Sequence, residues 1–314
     1  MIGRRAFVAG LAAGLVARGG VAWSAVPRVG ILTDHIPLAA IFVQGLSDAA
    51  WDVGEDVIVL RRGSGADHWR SAARELARLP VSVIVAGEHT AARAAREATD
   101  AIPIVAIDFE HDPIASGFVR TLARPGANVT GFFCDLDDAM ARLARALLEA
   151  VPTTRRMVAL TDGASTDAQA GALRRARAAL GVEIETLDSA GGSPDALARR
   201  VAPAHAAMIV LTSPQLQADA TPLAKRAIRR KVASAGAFVR YAQVGGLLAR
   251  GPSVPDTFRR AGATVDRLLR GARAADLAVE RPPRFELVLN ARTAAALEVP
   301  LPPSLLSSAD HIIR

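Results

Sequence analysis

The segment HWRSAARELARLPVSVIVAGEHTAARAAREATDAIPIVAI, residues 68–107, decides the architecture. Its first part sets Ala72, Leu76 and Leu79 at spacings of four and three, so one helical face is apolar while Arg70, Arg74 and Arg78 face water. Pro80 ends that helix, and the run Val81–Ala86 that follows is short, apolar and rich in Val, as a buried strand is. The pattern then repeats: Thr90–Thr99 reads as a helix, Pro103 marks the return, and Ile104–Ile107 reads as a strand. Strand, helix and strand joined by returns of a few residues make a βαβ unit, and βαβ units build a parallel sheet.

The same alternation extends in both directions. Upstream lie a strand at Arg28–Leu32, a helix at Ala39–Trp51 and a strand at Val57–Leu60. A second set begins with a helix at Leu136–Ala150, then a strand at Met157–Leu160, a helix at Thr166–Leu180 and a strand at Val182–Leu187. Ser193-Pro194-Asp195 opens a further helix, with Ser193 as N-cap and Pro194 in the first turn. Ala207–Leu211, Pro222–Arg230 and Val232–Phe238 complete this set as strand, helix and strand. The remainder, with a short strand at Gly245–Leu248, a helix at Asp256–Arg270 and a strand at Arg284–Asn290, is too small to stand alone, so the chain crosses between two lobes more than once. A length of 314 residues also exceeds the usual size of one core. The expected fold class is therefore α/β, two Rossmann-like parallel-sheet lobes joined by several hinge crossovers. The first lobe is expected to comprise residues 26–131 plus about 240–283, and the second residues 132–239 plus about 284–314.

The N-terminus reads as an export signal peptide over residues 1–25. Arg4 and Arg5 precede an apolar run of eleven residues, Ala6–Val16, and Ala22-Trp23-Ser24 supplies small residues suited to cleavage. The run is well short of the ~20 residues of a membrane span. Arg4-Arg5-Ala6-Phe7-Val8 also resembles a twin-arginine signal, so both that route and the general secretory route stay open. The mature protein is expected outside the cytoplasm, in the periplasm or an equivalent compartment.

Composition narrows the class. Hydrophobic residues at 51% and charged residues at 22% suit two folded cores rather than a multi-span membrane protein. Removing Arg4, Arg5 and Arg18 with the leader lowers the formal charge from +7 to +4. The arginines are spread over helical stretches and do not cluster with aromatics, so nucleic-acid binding is not expected. Cys134 is the only cysteine, which excludes an internal disulfide, and with His35, His68, His111, His205 and His311 scattered no structural zinc site is expected.

From Val26 onward the chain resembles the TrpX-like ABC transporter substrate-binding proteins, which have the type I periplasmic binding protein fold. The most specific match is Leu122-Ala123-Arg124-Pro125-Gly126-Ala127-Asn128-Val129-Thr130-Gly131. Others are Phe285-Glu286-Leu287-Val288-Leu289-Asn290 with Thr293-Ala294, Pro302-Pro303-Ser304-Leu305-Leu306, and the ending Ala309-Asp310-His311-Ile312-Ile313. The resemblance implies a monomer that captures a small molecule, amino acid-like or related, and presents it to an ABC permease without a cofactor. In physical terms Pro125-Gly126 sets a turn and Asn128 can bond its own backbone in the loop that redirects the chain, so Asn128 and Thr130 are expected to be structural.

In open parallel sheets ligands bind beyond the carboxyl ends of the strands. Candidate ligand-binding residues on those loops are Thr33 and Asp34, His89 and Thr90, and Asp108, Glu110 and Asp112 in the first lobe. In the second they are Asp162, Ser165 and Thr166, then Ser213 and Gln215. Hydroxyls and backbone N–H groups at helix starts suit a carboxylate, and the acidic run suits a ligand ammonium. Relatives often carry small, hydroxyl-rich loops at 86–90 and 108–112, so the acidic run here points to a more cationic ligand, and Phe109, Phe133, Phe238 and Tyr241 are candidates for an apolar wall.

Three other readings have sequence consequences. Catalysis is not expected: pairs such as Asp108 with Glu110, or His89 with Ser165, lack any motif that joins them, and there is no nucleophile elbow, phosphate loop or zinc-protease motif. A regulator on the same fold needs a DNA-binding module ahead of the first strand, where only leader-like residues stand. The remaining alternative is an extracytoplasmic binding protein that serves a membrane sensor.

Overall fold

The structure, a computed structural model, describes residues 26–63, 68–163, 166–188, 201 and 206–314. The expected leader and the helix expected from Ser193 lie outside the described residues.

Five parallel strands form the first sheet: β1 (Arg28–Leu32), β2 (Ile58–Arg62), β3 (Val83–Ala86), β4 (Ile104–Asp108) and β5 (Val129–Phe133), in the order β2-β1-β3-β4-β5. Both faces are covered, so β3, β4 and β5 are buried along their whole length, as runs such as VIVA require. Alternate residues serve opposite layers. Ile84, Ile104 and Phe133 pack with Trp69 and Leu76 toward α2 (Trp69–Arg78) and α3 (His89–Ala98). Val83, Val85 and Phe132 pack with Phe42 and Phe258 toward α1 (Ile36–Asp48).

The second lobe opens with α4 (Leu136–Ala150), whose Asp135 cap accepts from Asp138 N. It continues with β6 (Arg156–Thr161), α5 (Asp167–Leu180), β7 (Glu183–Asp188), β8 (Ala206–Val210), α6 (Pro214–Ala218), α7 (Ala220–Arg229), β9 (Ala233–Gly236), α8 (Arg240–Gln243) and β10 (Leu248–Pro252). After α9 (Val254–Leu269) come β11 (Phe285–Asn290), α10 (Ala291–Leu297), α11 (Pro303–Ser308) and β12 (His311–Ile313). The sheet order is β12-β11-β10-β9-β8-β6-β7, with β10 and β11 antiparallel.

The chain passes between lobes after β5, after β10 and again before β11. The expectation that residues from about 240 belong to the first lobe is corrected for its opening part. β10 pairs with β9 and β11 in the larger sheet, and the buried Tyr241 hydroxyl donates to Ser234 while Asn290 holds the Ala242 carbonyl. Only α9 and the stretch through Glu280 return to the first sheet. There α9 crosses α1 at two glycines, because a Cβ on Gly262 would lie 2.2 Å from the Gly45 carbonyl carbon. The turn residues of the Pro125–Gly131 segment are structural: Asn128 Nδ2 reaches the carbonyls of Thr99 and Ile102 at 3.0 and 2.9 Å, rather than its own loop, and Thr130 donates to Leu277 O. Gly131 has φ +139°, and a Cβ there would lie 1.9 Å from Ala106 O on β4, so this strand position admits glycine alone. Among the described residues no helix is long and apolar enough to cross a membrane.

Candidate functional site

The loops at the carboxyl ends of β4 and β8 meet across the two lobes. Glu110 follows β4 and Thr212 follows β8, and the Thr212 hydroxyl donates to Glu110 Oε1 at 3.1 Å. Thr212 is itself fixed by α5: Gln169 donates to its carbonyl at 2.8 Å and accepts its N–H at 3.0 Å, and Gln217 Nε2 donates to its hydroxyl. Burial pushes the Glu110 carboxyl up to about 7, and the neighbouring Asp108 charge adds to the rise.

Beneath this contact Asp108, 2% exposed at the end of β4, is surrounded by donors. His89 Nδ1 lies 2.6 Å from Oδ2, and His111 Nδ1 lies 3.2 Å from Oδ1, which also accepts from the backbone N–H groups of Glu110 and His111. Burial alone would raise this carboxyl, but the hydrogen bonds from His111 and His89 outweigh it and hold the group below its ordinary range. For His111 burial is likewise outweighed, by the bond and charge of Asp108, so its ring is raised. The two imidazoles stack with centroids 3.7 Å apart, and Phe118 flanks His89 at 5.4 Å.

Other expected site residues have local partners. Asp112 is exposed, and its Oδ1 accepts from Ile114 N and Ala115 N, closing a turn. Asp108 is held by histidines and backbone and Asp112 Oδ1 by its turn; Glu110 is the acid of that run that faces the opposite lobe. The exposed Thr90 hydroxyl donates to Glu88, which also takes Trp69 Nε1 at 2.6 Å, while no side chain caps the start of α3. Buried Thr33 accepts from His35 N and its carbonyl from Arg61, beside exposed Asp34. In the second lobe Ser213 caps α6 through Leu216 N and donates to Asp162 Oδ2 at 2.8 Å. Thr166, fully buried, accepts from Asp162 N. Gln215 is exposed and bonds Asp219 along its helix, and Ser165 lies outside the described residues.

Sequence reasoning placed Thr212 and His111 on the candidate loops without choosing them as ligand contacts, and passed over Gln169. Gln169 had a readable signal, a polar residue on the apolar side of α5 among Ala170, Ala172 and Leu173. His111 had only its position three residues beyond Asp108.

Comparison with known proteins places this geometry. The chain is similar in structure to an ABC domain from Streptococcus pneumonia crystallised in complex with L-Trp (TM-score 0.81, 19% identity, covering 92% of this chain and 100% of the other). It is similar also to a conserved domain protein from Vibrio cholerae (0.78, 20%, 92% and 100%). A third is the ligand-free, open form of a substrate-binding protein with adhesive properties from Clostridium difficile (0.74, 20%, 92% and 99%). At such identities the likeness concerns the fold, two α/β lobes of the periplasmic binding protein kind. No curated protein matches the chain. The family model for ABC transporter substrate binding proteins matches residues 39–313. That match takes in every strand after β1 and all three passages between the sheets, and the chain therefore belongs to the ABC transporter substrate binding protein family, a family of solute-binding proteins and not of enzymes.

Proposed function

We propose that the protein captures a small cationic or zwitterionic solute in the cleft between its lobes and delivers it to an ABC permease. The observation that supports this reading most is the Thr212–Glu110 hydrogen bond, which brings the strand ends of both lobes to one place. Glu110 is the acid positioned to meet a ligand cation: a half-buried carboxyl that accepts the Thr212 hydroxyl in the absence of solute becomes a charged partner when an ammonium arrives. The Thr212 hydroxyl supplies a polar contact of the opposite wall, set in place beside Ser213, which caps α6. Aromatic Phe109 and Phe238, both partly buried against the second core, form the apolar side.

In this reading the mature chain is monomeric, works outside the cytoplasm after removal of residues 1–25, binds no nucleic acid and carries out no chemistry on its solute. The lobes rotate about the three passages, and solute stabilises the closed form through contacts with both walls. The experiment is a thermal-shift screen against amino acids, polyamines, nucleosides and carboxylates, followed by small-angle scattering with any hit. A ligand that prefers the folded state raises the melting temperature, and a saturating hit should shrink the radius of gyration. A hit that leaves the radius unchanged, or a preference for dianionic carboxylates over amines, overturns the reading.

A further inference from the structure

The three residues beneath the Glu110–Thr212 contact form a donor set of their own. Neighbouring parallel strands β3 and β4 bring His89, Asp108 and His111 together, and the ligand atoms they offer all lie within 4.8 Å of one another. Two imidazoles and one carboxylate suit borderline divalent ions of the zinc, cobalt and nickel class, whereas magnesium prefers an all-oxygen shell. Three donors of this kind from three points of the chain are held before any ion arrives. The Asp108 carboxylate is fixed by backbone N–H groups of Glu110 and His111, His89 by its place at the start of α3, and the rings by stacking on each other.

Spacing supports the assignment. Two donors each about 2.0–2.2 Å from a tetrahedral ion are about 3.4 Å apart. The His111–Asp108 separation of 3.2 Å already fits, and the 2.6 Å His89–Asp108 contact must open by under 1 Å. Charge supports it as well: Glu110 lies close enough to feel the charges of Asp108 and Glu88, and the groups of opposite sign acting on Asp108 are the two imidazoles themselves.

We propose that His89, Asp108 and His111 bind one divalent transition-metal ion on the first-lobe wall of the cleft. In the metal-free chain each Nδ1–H donates to Asp108, so entry of the ion requires each Nδ1 to give up that proton and turn its lone pair to the ion: a neutral ring keeps the proton on Nε2 instead, and a ring that was imidazolium releases one proton to solvent. The remaining coordination positions take water or donor atoms of a solute. The location of this site in a solute cleft rests on the reading above; the binding of the ion does not.

The test uses the full chain, purified without a histidine tag and stripped with a chelator, then titrated calorimetrically with Co2+, Ni2+ or Zn2+ alone and with Mg2+ as the oxygen-preferring control. One ion per chain is expected, with visible absorption bands of low-symmetry Co2+, and His89→Ala or His111→Ala should each weaken binding at least tenfold. Because an alanine variant could unfold, His111→Gln, which keeps a hydrogen bond to Asp108, is measured beside them with its melting curve and should also lose the Co2+ bands. Undiminished binding in these variants, Mg2+ bound as tightly as Zn2+, or no stoichiometric binding at all overturns the proposal. Scattering with organic solutes in chelator is a separate measurement, so failure of solute capture and failure of the metal site are read independently.

Discussion

Glu110 and Thr212, 102 residues apart in the chain, share a hydrogen bond of 3.1 Å that joins the loop after β4 to the loop after β8. It joins the two lobes away from the hinge side, where Arg281 instead ties the Phe133 carbonyl and Asp135. A hydrogen bond of this kind contributes about 1 kcal/mol net. Thr212→Val, which keeps the shape and removes the donor, should therefore shift the lobes toward the open form by about fivefold. Scattering or distance measurements between labelled lobes without solute will detect this; identical distributions for both proteins would count against a latch.

Glu110 also sets a pH dependence. Its folded value, raised to about 7, lies above that of an unfolded glutamate, so between these values the folded state holds the extra proton. Stability contributed by that group is present at low pH and falls as pH rises toward about 7. In chelator-treated protein the melting temperature of the wild type should drop relative to Glu110→Gln between pH 5 and pH 8. A constant difference across that range would place Glu110 in solvent.

The crossing of α1 and α9 predicts a steric cost. A Cβ at Gly262 meets Gly45 backbone at 2.2 Å, and backbone cannot step aside as a side chain can. Gly262→Ala should destabilise by roughly 1–3 kcal/mol, the usual range for overpacking a tight core. Calorimetric unfolding should record a lower melting temperature, while Gly171→Ala, within α5 and facing only the flexible Arg175 and Arg174 side chains, serves as the uncrowded control.

Ser213 combines two tasks, capping α6 and donating to Asp162. Ser213→Ala should cost about 1 kcal/mol through loss of the cap, and Ser213→Asp should restore the cap while setting a second charge against Asp162. Chemical denaturation will separate them: stability returns only partly in the aspartate variant, and solute affinity falls in both.

Periodicity within single elements was legible without the fold. Leu136–Ala150 coincides with α4, and the strands from residue 28 to 108 lie within a residue or two of their expected ends, because apolar spacing and Pro punctuation act locally. The Pro125–Gly131 segment was legible as a turn and as structural. Its reason, the 1.9 Å approach to Ala106, required the neighbouring strand. Residues 240–252 were assigned to the other lobe for a related reason: a short strand and turn suit either sheet, and pairing with β9 and β11 decides between them.

What the sequence alone determined is the βαβ alternation, the two sets it forms and the loops that follow each strand, since burial patterns are written at spacings of two to four residues. The tertiary structure decided which polar groups on those loops remain available. Asp108 and Asp112 read alike in the chain, yet one lies under two histidines and the other closes a turn, while Glu110 between them reaches the opposite lobe. The side chain a carboxylate meets depends on strand order and lobe closure, and neither is encoded in the residues beside it.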